Sequence, residues 1–287
     1  ARGDGVFVHD DSGNRFYEGM SGLWCTSLGF SEPELVNAAI AQFNKLPFYH
    51  SFAGKTVDPA IELAEILIAN APSAGGSSHM SKVFFAASGS EANDTAMKMV
   101  WYYNAALGRP EKRKIISRKK GYHGVTMAAA SMTALPYAQD GFGLPLDFVK
   151  HTAAPDYYNE AQSGESEEEF SNRCAAELEE LILTEGPDTV AALFAEPVMG
   201  AGGVIIPPTG YFQKIRSVLE KYDVLLVSDE VICGFGRTGN MWGAQTMDMR
   251  PDILTCAKAL SSAYLPISAV IISDGSELIG VSLTLLS

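Results

Sequence analysis

The sequence is short of cysteine, of positive charge and of long apolar runs, and each shortage excludes a class of protein. Its four cysteines, Cys25, Cys174, Cys233 and Cys256, form no C-x-x-C pair, so they indicate neither a zinc site nor a disulfide framework. The net charge of −13 would repel nucleic acid and anionic lipid headgroups. No run reaches the roughly 18 apolar residues of a membrane span, and the first residues contain no apolar core of signal-peptide length. We therefore expect a cytoplasmic protein with no metal and no nucleic-acid or membrane partner.

The remaining composition is that of a packed globular enzyme. Hydrophobic residues make up 47% of the 287 residues and charged residues 19%. The only concentrated basic charge lies at residues 112–114 and 118–120, on either side of the apolar pair Ile115 and Ile116. Charge runs usually face solvent, so we interpret these two clusters as the exposed ends of a strand.

The N-terminal part of the chain predicts a small entry segment. Alternating apolar residues flank a turn at residues 11–14, which predicts a β-hairpin. Residues 31–46 predict a helix with Ser31 as its N-cap, and a second helix is expected at Pro59–Ala71, before a Pro/Ser/Gly-rich break at residues 72–78. We therefore divide the chain into an N-terminal segment, 1–58 (hairpin plus helix), and a large domain, 59–287.

In the large domain, short apolar runs alternate with amphipathic helical segments. This alternation predicts an α/β fold with a mostly parallel sheet covered by helices. Ligands of such sheets bind beyond the carboxyl ends of the strands, so the residues that follow each run are the candidates for chemistry. The predicted strands are Lys82–Ala87, Lys114–Ser117, Val190–Ala195 and Val224–Ser228, and the predicted helices are Glu91–Leu107, a segment near Gly124–Met132, Glu168–Thr184 and Tyr211–Tyr222.

Two turns that follow predicted strands have the features of ligand sites, the first for an anion and the second for a planar ring. In the first, Gly89 lets the backbone approach a ligand closely, and Ser90 can cap the next helix and donate its hydroxyl to a phosphate. In the second, Tyr122 could stack on a planar ring, next to the imidazole of His123. Taken singly, each has an ordinary alternative: a capped helix, a packed tyrosine, a structural histidine.

Two carboxylates and one lysine follow other apolar runs. Asp229 lies at the carboxyl end of a core strand, where a carboxylate implies a cationic partner such as a protonated pyridinium nitrogen. Glu196 follows its strand in the same way, with a rim carboxylate as the alternative. Lys258 follows the apolar run ILTCA among small residues, and desolvation there would make its neutral amine available for Schiff-base formation.

One glycine pattern points to a different cofactor. Residues 234–239 match G-x-G-x-x-G, the dinucleotide fingerprint. The fingerprint should open a helix directly after its strand, but Asp229 and Glu230 intervene and the residues that follow have poor helical periodicity. A nicotinamide-linked oxidoreductase is therefore disfavoured.

Five segments then occur in the order typical of one enzyme family: ASGSEAND, GYHG, AEPVMGAGG, SDEVICGFGRTG and AKALSSAY. With them the chain, from Gly5 to about Ser273, resembles the class III pyridoxal-phosphate-dependent aminotransferases of the omega-transaminase type. The resemblance implies the pyridoxal-phosphate (PLP) fold type I, the cofactor pyridoxal 5′-phosphate, and a homodimer with the active site at the subunit interface.

The resemblance also assigns a role to each candidate residue. Lys258 would carry the cofactor and then act as general base, and Asp229 would pair with the pyridine nitrogen. The other cofactor and pocket residues would be Gly89 and Ser90 at the phosphate, Tyr122 and Val231 on the two ring faces, His123 at the cofactor, Glu196 supporting the Asp229 region, and Trp24 and Ala201 along the substrate pocket.

The implied reaction is ping-pong transamination of an amine or omega-amino acid with a keto acid such as pyruvate. Another PLP reaction on the same scaffold (aminomutase, decarboxylase or racemase) and a truncated, non-catalytic chain are the alternatives. The ending, residues 275–287, does not resemble the family's continuation, from which a partner-chain threonine and a carboxylate-binding arginine would come. We therefore expect the large domain to be truncated at its C-terminal end, without the small domain.

Overall fold

The computed structural model describes residues 1–73 and 79–274. Most of the predicted break at 72–78 lies outside these residues. The ending 275–287, on which the expected truncation and the missing small domain rest, also lies outside them.

The N-terminal segment begins with a three-stranded antiparallel sheet. The predicted hairpin is confirmed, and the side chain of Asp10 closes its turn by accepting a 2.9 Å hydrogen bond from the amide of Asn14. The strands are β1 (Arg2–Asp4), β2 (Phe7–His9) and β3 (Arg15–Tyr17).

Three helices follow: α1 (Ser21–Trp24), α2 (Pro33–Lys45) and α3 (Asp58–Ala69). The expected cap of α2 is wrong by one residue. Glu32 is the N-cap, and its side chain accepts a hydrogen bond from the amide of Glu34. The hydroxyl of Ser31 instead donates to the carbonyl of Gly3 at 2.8 Å, which joins the segment to the small sheet.

The large domain is built on a seven-stranded sheet. Its order is β4-β10-β9-β8-β7-β5-β6, and only β10 runs antiparallel to its neighbours, so the predicted mostly parallel sheet is confirmed. The short strand β6 was missed because Lys150 and His151 interrupt its apolar pattern. The strands are β4 (Met80–Ala86), β5 (Lys114–Arg118), β6 (Val149–Thr152), β7 (Val190–Ala195), β8 (Leu225–Asp229), β9 (Ile253–Cys256) and β10 (Ser268–Ser273).

Helices cover both faces of this sheet. Successive strand residues point to opposite faces, so Ile115 and Leu225 pack with α4 and α5, whereas Ile116 and Leu226 pack with α3, α8 and α9. Burial of each such side chain contributes about 1.5–3 kcal/mol. The helices of the large domain are α4 (Gly89–Ala106), α5 (Met127–Met132), α6 (Pro136–Gln139), α7 (Tyr157–Glu160), α8 (Glu167–Glu185), α9 (Tyr211–Lys221) and α10 (Gly243–Thr246).

Each of the two basic clusters contains one buried residue, for which the predicted exposure was wrong. Arg118 is 1% exposed; its guanidinium lies 5.8 Å from the ring centre of Phe212 and donates to the carbonyl of Glu196. Lys112 is 4% exposed and donates to the carbonyl of Tyr222 at 2.8 Å. Their long apolar stems are buried while each charged group keeps a carbonyl acceptor. Within the described part of the chain, no helix is long and apolar enough to cross a membrane.

Candidate functional site

A cavity of about 690 Å³ lies beyond the carboxyl ends of the parallel strands. The segments that follow β4, β5, β7, β8 and β9 contribute to its wall, together with the N-terminal segment at Trp24. Each of the ten residues predicted for the site lines this cavity. The topology therefore brings together side chains that are far apart in sequence, as expected where parallel strands end at one edge of a sheet.

The turn between β4 and α4 places the first amides of a helix at the cavity. Ser88, rather than Ser90, is the N-cap, since its side chain accepts a 3.2 Å hydrogen bond from the amide of Glu91. Gly89 packs against Val231, and a Cβ atom on Gly89 would lie 3.0 Å from Cγ2 of that valine. The Oγ atom of Ser90 accepts a 3.0 Å hydrogen bond from the amide of Val125, which joins this turn to the one after β5.

Asp229 is buried at the base of the cavity and is held by three donors. Its Oδ2 atom lies 2.8 Å from the side-chain nitrogen Nδ2 of Asn93 and 2.8 Å from Nδ1 of His123. Its Oδ1 atom accepts a 3.1 Å hydrogen bond from the backbone amide of Val231. His123, which was predicted to lie at the cofactor, contacts the carboxylate of Asp229 directly. Asn93 was missed as a site residue, although it belongs to the segment ASGSEAND.

Asn93 itself is fixed by further buried contacts. Its Nδ2 atom also donates to the carbonyl of His123 at 2.7 Å, and its Oδ1 atom accepts from the hydroxyl of Thr255 at 2.8 Å. The amide of His123 donates to the hydroxyl of Thr133 at 2.8 Å. All of these groups are buried. Buried polar groups with satisfied partners of this kind define one arrangement of the site.

Glu196, predicted to support the Asp229 region, is buried, and its carboxylate accepts hydrogen bonds from two backbone amides. Its Oε1 atom accepts from the amide of Tyr122 and its Oε2 atom from the amide of Gly200, both at 3.0 Å. Burial raises the pKa of Glu196. The carboxylate therefore shapes the loop that presents Tyr122 to the cavity.

Lys258 follows β9 in a single 3₁₀ turn, Lys258–Leu260, and is half-buried. Its Nζ atom lies 5.3 Å from the ring centre of Trp24, a distance at which a cation interacts with an indole ring. Burial lowers the pKa of Lys258, and the charge of Asp229 partly opposes this effect. The cavity is thus lined by an amine whose pKa is lowered by burial and by a buried carboxylate.

Tyr264, near the end of the segment AKALSSAY, ties the N-terminal segment to the site. Its hydroxyl accepts from the amide of Glu32 at 2.8 Å and donates to the carbonyl of Gly29 at 2.9 Å. These bonds attach the chain that follows Trp24 to the loop that follows Lys258. The sequence contained the tyrosine within a recognised segment, but nothing in it indicated this partner.

The G-x-G-x-x-G segment at residues 234–239 does not open a helix. A series of turns follows β8, and the next helix, α10, begins only at Gly243 and has four residues. This geometry differs from that of a dinucleotide-binding turn, in which a long helix starts directly after the strand.

Comparisons with known proteins agree with the resemblance in the sequence. A family model described as aminotransferase class-III matches residues 1–277. The chain is 55% identical over 272 residues to a probable gamma-aminobutyrate transaminase 2, mitochondrial, of Oryza sativa subsp. indica, with 95% of this chain and 54% of the relative covered. It is 52% identical over 273 residues to a vanillin aminotransferase of Capsicum annuum, with 95% and 59% covered.

Solved structures show the same fold. An omega transaminase from Pseudomonas jessenii in complex with PMP has a TM-score of 0.92 and 57% identity, with 95% of this chain and 59% of that chain covered. A structure described as a transaminase with L-ala has a TM-score of 0.93 and 57% identity, with 96% and 64% covered. The chain spans about half the length of the curated relatives it matches first.

Proposed function

Since the chain belongs to the class III aminotransferases, we propose that it transfers an amino group from an amine or omega-amino acid to a keto acid such as pyruvate. One observation carries the proposal: Asp229 and Lys258, at the ends of the neighbouring strands β8 and β9, line the same cavity as the first turn of α4. Relatives named gamma-aminobutyrate transaminases make gamma-aminobutyrate the first omega-amino acid to test.

Class III aminotransferases use pyridoxal phosphate, and the residues present in this cavity fit it. The first turn of α4 offers amides to an anion, Asp229 suits a cationic ring nitrogen, and the amine of Lys258 suits an aldehyde. When bound, the cofactor supplies an electron sink for the bonding electrons of the substrate carbon.

Gly89 and Ser90 would bind the phosphate. The first amides of a helix have no partner within it and attract an anion. The hydroxyl oxygen of Ser90 accepts from Val125, which leaves the hydroxyl hydrogen able to donate to a phosphate oxygen. Tyr122 and Val231 both line the cavity, and we assign them to the two faces of the cofactor ring.

Asp229 and Lys258 would carry the chemistry. The negative charge of Asp229 raises the pKa of a ring nitrogen opposite it, so the ring is cationic when negative charge develops on the substrate. The amine of Lys258 would hold the cofactor through its aldehyde carbon. Once freed by the substrate amine, Lys258 would take the proton from the substrate carbon and deliver it to that cofactor carbon, so that the amino group would stay with the cofactor. Both steps need the neutral amine, and burial lowers the pKa of Lys258 from that of a free lysine.

Trp24 and Ala201 line the same cavity, and we assign them to the substrate pocket. The indole of Trp24 lies next to the amine of Lys258, so a substrate bound at the lysine would lie near the ring. A substrate side chain would therefore be selected by its fit against this ring and the small side chain of Ala201.

We also propose a homodimer with the active site at the interface. Large apolar side chains near the cavity are exposed, among them Val125 at 76% and Tyr137 at 69%. Exposed apolar groups around a cavity favour burial against another surface. Light scattering during size-exclusion chromatography tests this. A cytoplasmic location stays a prediction, since relatives include proteins named mitochondrial and chloroplastic.

The function is tested by spectrum, trapping and turnover together. The protein saturated with pyridoxal phosphate should absorb visible light, and borohydride followed by peptide mapping should place the reduced cofactor on Lys258. Gamma-aminobutyrate should then convert pyruvate to alanine. Lys258→Ala is the control that should lose both the label and the alanine. A product that forms equally without pyruvate would favour the aminomutase, decarboxylase or racemase reading, and cofactor binding with no turnover would favour a non-catalytic chain.

A further inference from the structure

One buried amide links the three elements that would hold the cofactor. Asn93 lies on α4, whose first turn faces the cavity; Asp229 ends β8; Thr255 lies on β9, three residues before Lys258. The Thr255 hydroxyl donates to Oδ1 of Asn93, and Nδ2 of Asn93 donates to Oδ2 of Asp229, both at 2.8 Å. Asn93 and Thr255 are each 0% exposed.

Two acceptors decide which way this amide points, and the hydroxyl of Thr255 satisfies its oxygen end. An amide has one accepting and one donating end, and a rotation by half a turn exchanges them. A donor at Oδ1 and two acceptors at Nδ2, the Asp229 carboxylate and the carbonyl of His123, all favour the same orientation. The reversed amide would direct its oxygen at the carboxylate and leave buried groups without partners, which is costly.

The same contacts set the orientation of the carboxylate. A carboxylate has about four acceptor positions. On Asp229, two donors occupy Oδ2 and the amide of Val231 occupies one position on Oδ1. The remaining position is on Oδ1. A cationic ring nitrogen would therefore meet Oδ1, with Oδ2 held from behind by Asn93 and His123.

We propose that Asn93 and Thr255 are positioning residues for the reaction: the hydroxyl of Thr255 holds the oxygen end of the Asn93 amide, and the donating end of that amide aims the Asp229 carboxylate at the cofactor's ring nitrogen. The inference rests on the proposed function, because it assigns these residues a task only where a cationic ring is bound. Neither residue lines the cavity, so their effect passes through Asp229.

The decisive variant is Thr255→Val, which keeps the branched shape in the strand and removes the hydroxyl. Thr255→Ser restores the hydroxyl and serves as the rescue. Thr152→Val is the matched control, because Thr152 is a buried threonine of the same sheet whose hydroxyl has no hydrogen-bond partner among the described residues. All variants are made in the full chain and saturated with pyridoxal phosphate.

The main readout is the pH at which the visible absorbance of the lysine-bound cofactor changes. A cationic ring nitrogen lowers the pKa of the conjugated nitrogen that joins the ring to Lys258. A poorly aimed Asp229 weakens this effect, so in Thr255→Val the transition should move upward by about half a pH unit or more, and the single-turnover rate with gamma-aminobutyrate should fall about tenfold. Thr255→Ser should remain close to the wild type in both, and Thr152→Val should match it.

The outcomes separate the two proposals. A Thr255→Val protein with the wild-type transition and rate, changed only in its thermal unfolding midpoint, would show that the bridge is merely structural and would overturn the inference alone. A wild-type protein without the visible absorbance would overturn the proposed function, and this inference with it. If Thr255→Val does not fold, Asn93→Ala takes its place and should give the same upward shift.

Discussion

The backbone amide of Tyr122 donates a 3.0 Å hydrogen bond to Oε1 of Glu196 across 74 residues of sequence. The other oxygen of the same carboxylate accepts from the amide of Gly200, so one buried side chain joins the loops after β5 and β7. A carboxylate accepts at both oxygens, and the two amides use both. The position of Tyr122 at the cavity thus depends on Glu196, a residue predicted from the sequence to support the region of Asp229.

Replacement of Glu196 by glutamine should weaken cofactor binding. The amide has the same shape, but its NH₂ group would face one of the two backbone donors, which costs about 1–3 kcal/mol. We expect the dissociation constant of pyridoxal phosphate to rise about tenfold or more, measured by equilibrium titration of the visible absorbance. Glu185→Gln is the control, since Glu185 pairs with Lys114 at the opposite end of β5. Equal affinities in wild type and Glu196→Gln would contradict this role.

The reactivity of Lys258 should show its lowered pKa. Only the neutral amine attacks an aldehyde, so the rate of attachment rises with pH and levels off above the pKa of the lysine. Burial lowers that pKa from 10.5, and the inflection should therefore lie below this value. Cofactor-free protein mixed with pyridoxal phosphate in a stopped-flow instrument over a range of pH gives the profile, with Nα-acetyl-lysine as the reference amine. An inflection at or above that of the reference would contradict the prediction.

Much of the site could be predicted because its residues lie directly after apolar runs. Asp229 ends β8 and Lys258 follows β9, and parallel strands carry such residues to one edge. The contact between Asn93 and Asp229 could not be predicted, because the two residues are 136 positions apart and the bond depends on how α4 packs on the sheet. The periodicity of apolar residues indicates local secondary structure, but it does not indicate which polar groups meet across the core.

Two errors show the same limit at single residues. Ser88 and Ser90 are both suited to cap a helix, and only the backbone conformation decides in favour of Ser88. Arg118 belongs to a basic run whose composition predicts exposure to solvent. It lies in β5, however, where the strand fixes the direction of its side chain and the guanidinium donates to the carbonyl of Glu196. Charge patterns indicate an exposed surface on average, and individual positions depend on the register of the strand.

Glu230 should make the stability of the protein fall as pH rises. Its side chain is fully buried and accepts from the amides of Gly243 and Ala244, and burial raises its pKa from 4.5 to about 7. At Glu230 the folded protein therefore binds more protons than the unfolded chain between these two values, so the contribution of this residue to stability is fully present below pH 4.5 and is lost as pH rises through about 7. The loss amounts to about 3 kcal/mol.

Glu230→Gln should remove this dependence. The free energy of unfolding is measured by denaturant titration between about pH 5 and pH 8. The wild type should lose more stability across this interval than the variant does. Glu220→Gln is the control, since Glu220 is largely exposed and pairs with Arg216 on the surface of α9. The same slope in wild type and Glu230→Gln would show that Glu230 does not titrate in this range.

The proposed mechanism depends most strongly on the negative charge of Asp229. Asparagine in its place keeps the shape and loses the charge, so the ring nitrogen is no longer held cationic while negative charge develops on the substrate. The cofactor should still attach to Lys258, because that bond does not need the carboxylate. We expect Asp229→Asn to lose about 10³-fold or more in the single-turnover rate with an amine, equivalent to about 4 kcal/mol of transition-state stabilisation. His123→Phe is the comparison, since it keeps a ring, removes one donor to the carboxylate and leaves the charge of Asp229 in place, and it should lose far less. An Asp229→Asn protein within tenfold of the wild type would make Asp229 a structural residue, and Glu196, the other buried carboxylate that lines the cavity, would then be the next candidate for the electron-sink role.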